Sequence, residues 1–293
     1  MNLSELPVHR VKRVMSEEDA TALVGTVVPD YEPNCTEAGI WVDDDTDEVI
    51  FVYFPMEAEV ELLRASVLKI NYGTTIRQST GLKNQSRTFG MAPRKIFQKR
   101  ESCRATSLAH EQPNEHAVLI AFAEKFAQMY KEFAPDLYAA DAKALADNNV
   151  ADEWRMTDDA LWTSGVVNKA STLPYHRDGF NFATWSAMPV IRRKMKGGYL
   201  TLPEYNFTCS CRDGWVTFFA GYKYVHGVTP MTPSAKDSYR YSIVYYALRG
   251  MKDCFTFAVE TAKARESRTN REDNMAKALK GEIPMPQIGG KHK

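Results

Sequence analysis

The sequence predicts an α+β fold in which helices flank a sandwich or jelly roll of short strands. Two observations predict it. The apolar pattern is helical between residues 114 and 148, and beyond residue 162 it changes to short apolar or alternating segments separated by Gly and Pro. The composition, 44% hydrophobic, 25% charged and 11% aromatic, is that of a globular chain able to bury one large core.

Residues 48–54 are an apolar strand ended by Pro55, and residues 56–70 carry Val60, Leu63, Val67 and Ile70 at helical spacing behind an acidic first turn. Residues 74–104 are polar, basic and weakly periodic, so they read as loops around short strands. The strongest helix is 114–133, with Val118, Phe122, Phe126, Met129 and Phe133 in one stripe and Pro135 behind it; a second follows at 137–148. This helix pair is expected on the outside of a sheet. Strands are expected at 162–167, 182–190, 199–203, 207–211, 215–220 and 242–248, then a polar helix at 261–280 and a disordered tail. The chain thus divides into N-terminal α/β elements (1–110), a strand-rich core with supporting helices (111–260) and a polar end (261–293), as one domain overall.

No apolar run approaches the roughly 20 residues that span a bilayer, and the first residues mix charge with apolar side chains, so a soluble, non-secreted chain is expected. The 5 cysteines, an odd number without regular spacing, argue against a disulfide framework and fit a reducing compartment. An intracellular location is expected, the nucleus if the source is eukaryotic. Cys209 and Cys211 share one face of a strand and read as core packing. Net charge is zero but segregated: residues 30–61 contain no Lys or Arg, whereas 77–104 hold Arg77, Lys83, Arg87, Arg94, Lys95, Lys99, Arg100 and Arg104 against Glu101 alone. Such a run is either a solvated surface paired with the acidic block or a face for a polyanion.

Within the strand-rich half, His176 and Asp178 stand two apart, so on an extended segment both side chains reach one ion. His226, beyond an apolar strand and followed by Gly227, is the natural third ligand. Two histidines and one carboxylate hold ferrous iron on one face and leave positions open for substrate-side ligands and oxygen. Arg240 and Ser242 then open a strand on one face, where a guanidinium and a hydroxyl can grip a carboxylate. The other histidines, His9, His110, His116 and His292, lie in sequence that gives them no metal role.

These residues resemble the oxygenase domain of the TET and J-binding-protein (JBP) family, which hydroxylates the methyl group of 5-methylcytosine or thymine in DNA. The resemblance is carried by His176-Arg177-Asp178 with Asn181 behind it, by 197–203, by the 214–219 strand, by His226-Gly227-Val228 followed by Pro230, and by Arg240-Tyr241-Ser242. It reaches back to 87–90 and Pro93-Arg94. It implies a double-stranded β-helix (jelly-roll) core with flanking helices, working with Fe(II), 2-oxoglutarate and O2 on a base flipped out of duplex DNA. It further implies iron on His176, Asp178 and His226, and the co-substrate's distal carboxylate on Arg240 and Ser242. Asn181 would face the base, Tyr245 or Tyr246 would stack on it, and Arg87 and Arg94 would lie nearest the DNA. An Asn amide suits cytosine or thymine; 5-methylcytosine is favoured, with thymine second. The chain is expected to be a monomer. The alternatives are the same iron chemistry on a nucleoside, amino acid or protein side chain, a DNA-binding module with a dead oxygenase fold, and a zinc hydrolase.

Overall fold

The computed structural model describes residues 2–56, 59–76, 83–94 and 102–285. Their strands are β1 (Val8–Val11), β2 (Gly39–Asp43), β3 (Val49–Pro55), β4 (Thr74–Ile76), β5 (Lys83–Ala92), β6 (Arg104–Ala105), β7 (Ser164–Lys169) and β8 (Leu173–His176). The second half adds β9 (Ser186–Arg193), β10 (Met195–Gly197), β11 (Leu200–Leu202), β12 (Phe207–Cys209), β13 (Trp215–Phe219), β14 (His226–Val228), β15 (Met231–Pro233) and β16 (Tyr239–Tyr246). The helices are α1 (Glu17–Ala22), α2 (Val60–Lys69), α3 (Leu108–Glu111), α4 (Pro113–Phe133), α5 (Pro135–Asp147) and α6 (Phe257–Leu279).

A large sheet runs in the order β1-β2-β3-β13-β9-β16-β7-β5-β4, with β6 on β5; a small one runs β12-β11-β14-β8, and β10 pairs with β15. From β7 onward the chain passes back and forth between the large and small sheets, which is the winding of a double-stranded β-helix. The expected jelly roll is therefore the observed fold. Strands expected from the second half all occur, with ends shifted by a few residues. The N-terminal strands β1 and β2 and the ten-residue β5 extend the large sheet on both sides. Their sequences lack a clean alternation, because pairing to neighbours distant in sequence, not local pattern, holds them extended.

Alternation on β13 and β16 decides what lies on each side of the large sheet. Phe218 of β13 and Tyr245 of β16 face outward onto α4, where Phe126 packs 6.4 Å and 5.3 Å from their rings and Trp162 closes the cluster. Phe219, Arg240, Ser242 and Tyr246 take the opposite parity and so face the interior of the roll. Helix α4 ends where Pro135 restricts Ala134 and starts α5. Asp141 of α5 is buried and accepts the Trp185 N–H (2.7 Å) and the Tyr130 hydroxyl (3.0 Å), tying the helix pair to the entry of β9.

The cysteine expectation needs correction: Cys103 and Cys254 form a disulfide, leaving Cys35, Cys209 and Cys211 free and buried. Their separation of 151 residues left no spacing to recognise. Among the described residues no helix is long and apolar enough to cross a membrane. Of the basic run, Arg77, Lys95, Lys99 and Arg100 lie outside the described residues, as do residues 286–293, His292 among them.

Candidate active site

The small sheet brings His176 and His226 together by register: they are direct partners on the antiparallel strands β8 and β14. Each ring engages the backbone carbonyl two residues before it through Nδ1, Pro174 at 2.8 Å and Tyr224 at 3.0 Å. That contact orients each ring and turns Nε2 toward Asp178, whose two oxygens lie 3.8 Å from His176 Nε2 and 3.9 Å from His226 Nε2. Asp178 is placed by its own N–H, which donates to Gly221 O at 3.0 Å. One ligand atom from each of the three residues lies within 4.8 Å of the others, so the set can hold one metal ion. Burial, reinforced by the neighbouring His176, pushes the His226 pKa down, so its imidazole is neutral and able to coordinate.

The site is open on one side. The His176 and Asp178 side chains are each 26% exposed, whereas His226 is 6% exposed against Phe219. Gly221 closes the other side: a Cβ there would stand 2.6 Å from Asp178 Oδ2 and 3.4 Å from His226 Cε1. Glu204, completely buried, accepts the N–H of Val225 at 2.8 Å and so anchors the backbone next to His226. Its carboxyl pKa is raised by burial, and Arg177 Nη2 is 3.9 Å away. Neither Gly221 nor Glu204 carried a local signal in the sequence, since both act through elements brought near by folding.

On β16, Arg240 is completely buried, and none of its three guanidinium nitrogens has a hydrogen-bond partner among the described residues. Desolvation lowers its pKa, as does the nearby Arg192, while the Cys211 thiol beside it acts in the opposite direction. Gly198, at φ +71°, makes room for it: a Cβ there would be 2.6 Å from Arg240 Cδ and 2.7 Å from Nε. A buried guanidinium without partners is costly unless an anion completes it. Ser242, also buried, shares its face of β16.

The remaining expected residues are scattered more widely. Tyr245 is corrected to a core residue, completely buried, with its hydroxyl donating to Leu119 O at 3.0 Å and Phe89 5.0 Å from its ring. Tyr246 is half-buried on the interior face. Asn181 is buried beside the metal ligands, donating its N–H to Asp178 O at 2.9 Å and bridging to Leu248. Arg87 pairs with Glu111. Arg94 pairs with Glu260 at 3.2 Å and lies over the Phe255 ring. Both guanidiniums thus face carboxylates outside the acidic 30–61 block.

Comparison with known proteins adds the family. The model of the TET/JBP family, described as the oxygenase domain of the 2OGFeDO superfamily, matches residues 94–249, more than half of the chain. No curated protein matches. Among solved structures, NgTET1 in complex with 5mC DNA is similar at a TM-score of 0.54 and 16% identity, covering 82% of this chain and 90% of that one. An oxidoreductase of the 2OG-Fe(II) oxygenase family from Burkholderia pseudomallei has a TM-score of 0.46 and 14% identity, covering 68% of this chain and 85% of its own. Given the family match over residues 94–249 and a site whose donors suit Fe(II) and 2-oxoglutarate, the chain belongs to the TET/JBP oxygenase family and is a 2-oxoglutarate-dependent dioxygenase.

Proposed function

We propose that this enzyme hydroxylates the methyl group of a modified pyrimidine in DNA, 5-methylcytosine before thymine. The observation that carries the reading is the presence, in one β-roll of the TET/JBP family, of a partly exposed two-His-one-Asp cluster and a completely buried Arg240 without a hydrogen-bond partner among the described residues. His176, Asp178 and His226 would hold the iron, which with 2-oxoglutarate and O2 supplies oxidation of an unactivated C–H bond, releasing succinate and CO2. Arg240 and Ser242 would hold the distal carboxylate, which meets the unsatisfied guanidinium without leaving a buried charge alone. Phe219 and the interior of the roll keep water from the inner side. The 26% exposure of His176 and Asp178 leaves an approach for a substrate too large to enter, such as a base extruded from a duplex. Tyr246 offers an aromatic face on the interior side, and Asn181 an amide beside Asp178. NgTET1, which shares the fold, was solved with 5mC DNA, in agreement with this reading.

The test is nucleoside mass spectrometry after incubating methylated and unmethylated duplexes with the enzyme, Fe(II) and 2-oxoglutarate. Hydroxymethylcytosine from the methylated duplex alone is expected. Hydroxymethyluracil from both duplexes would move the assignment to thymine, and succinate release with no altered nucleoside in either would sink the DNA reading.

A further inference from the structure

Phe180, two residues after the metal-ligand carboxylate of Asp178, is 84% exposed, the largest exposure of any large apolar side chain among the described residues. It takes no ring contact there, and its neighbour Gly179 has open space where a side chain would be. An exposed phenyl on a loose loop would mean little. This loop is held along its whole length. Asp178 N–H donates to Gly221 O, Gly179 N–H to Arg177 O and Asn181 N–H to Asp178 O, at 3.0, 2.9 and 2.9 Å. From the other side Arg249 N–H donates to Phe180 O at 2.9 Å and Phe182 N–H to Ala247 O at 2.8 Å. The fold therefore fixes the backbone of Phe180 between a metal ligand and the end of the strand that carries Arg240, and directs its ring away from the protein.

Arg249 is exposed beside it, with Nη2 donating to Asn181 O at 3.1 Å. A rigid protruding aromatic with a guanidinium at its base, at the rim of an open metal site, matches what a nucleic-acid duplex presents: a stack of apolar base faces between phosphate rows. We propose that Phe180 is the wedge that enters the base stack beside the extruded nucleotide and holds the gap open, with Arg249 on the adjoining phosphate. Its exposure separates this role from that of a pocket wall, because a side chain that lined the pocket would be largely enclosed by it. The inference rests on the DNA reading above.

The experiment compares wild type, Phe180→Ala and Phe180→Trp on one methylated sequence presented as duplex and as single strand, with succinate release in the absence of DNA as control. A 2-aminopurine beside the methylated base reports unstacking. The Ala variant is expected to lose roughly 10- to 100-fold in kcat/KM on the duplex, to change less than about threefold on the single strand, and to lose the 2-aminopurine signal. Trp is expected to restore both. DNA-free succinate release is expected to be the same in all three proteins. Equal losses on both forms of DNA, or none on the duplex, would overturn the wedge while leaving the substrate reading intact. A wild type without activity on any DNA would overturn both.

Discussion

The metal cluster and the surroundings of Arg240 are finished to different degrees. At the metal end each imidazole has a backbone carbonyl on Nδ1, Asp178 is fixed through its N–H, and Glu204 secures the strand next to His226. Arg240, by contrast, is completely buried and has no hydrogen-bond partner among the described residues. At the first, hydrogen bonds within the protein orient all three metal ligands. At the second, no described residue satisfies the Arg240 guanidinium, so ligand binding should contribute stability there above all.

The largest effect should come from the metal end. Asp178→Ala is expected to lower iron-dependent succinate release by at least about a thousandfold, since no neighbouring carboxylate replaces the ligand. Unfolding without metal should change by less than about 0.5 kcal/mol, because the side chain is a quarter exposed and the side chains it faces among the described residues are the two imidazoles. Activity retained within tenfold would remove Asp178 from the site.

Arg240→Met should break the symmetry in the opposite sense. The 2-oxoglutarate requirement is expected to rise by roughly a hundredfold or more, as both hydrogen bonds of the planar group are lost. The ligand-free protein should meanwhile become more stable, by about 1 to 4 kcal/mol, because a methionine fills the space without a charge to desolvate. In thermal unfolding, 2-oxoglutarate alone should then raise the Tm of the wild type and not of the variant. A variant less stable than the wild type would show that some partner already satisfies Arg240.

How much of this was legible in the sequence follows the same division. His176-x-Asp178 could be read because strand geometry puts both side chains on one side, and Arg240-x-Ser242 for the same reason. The meeting of His176 with His226 depends on the β8–β14 register, which no local pattern encodes. Gly221 and Gly198 were silent as well: each matters only because a side chain distant in sequence fills the space it leaves. Tyr245 misled because strand parity is visible in the sequence but the identity of the buried side is not. On β16 both faces are covered, one by α4 and one by the roll, so burial alone did not mark the face that carries the chemistry.

The smallest expected effect concerns a buried carboxyl between these extremes, one that has partners yet still bears a cost. Asp141 accepts from Trp185 N–H and Tyr130 OH, and burial nonetheless raises its pKa to about 6. Between the ordinary aspartate range and that value the unfolded chain releases a proton that the folded chain retains. Stability should therefore fall as pH rises from about 4 to about 6, by up to roughly 3 kcal/mol, and level off above. Asp141→Asn keeps an oxygen for both donors and has nothing to ionise, so the difference between wild type and variant in urea unfolding should follow that window. If the difference is flat from pH 4 to 7, hydrogen bonds from two donors are enough to hold a buried carboxylate at its ordinary pKa. In that case the cost assigned to Arg240 comes from its missing partners and not from burial.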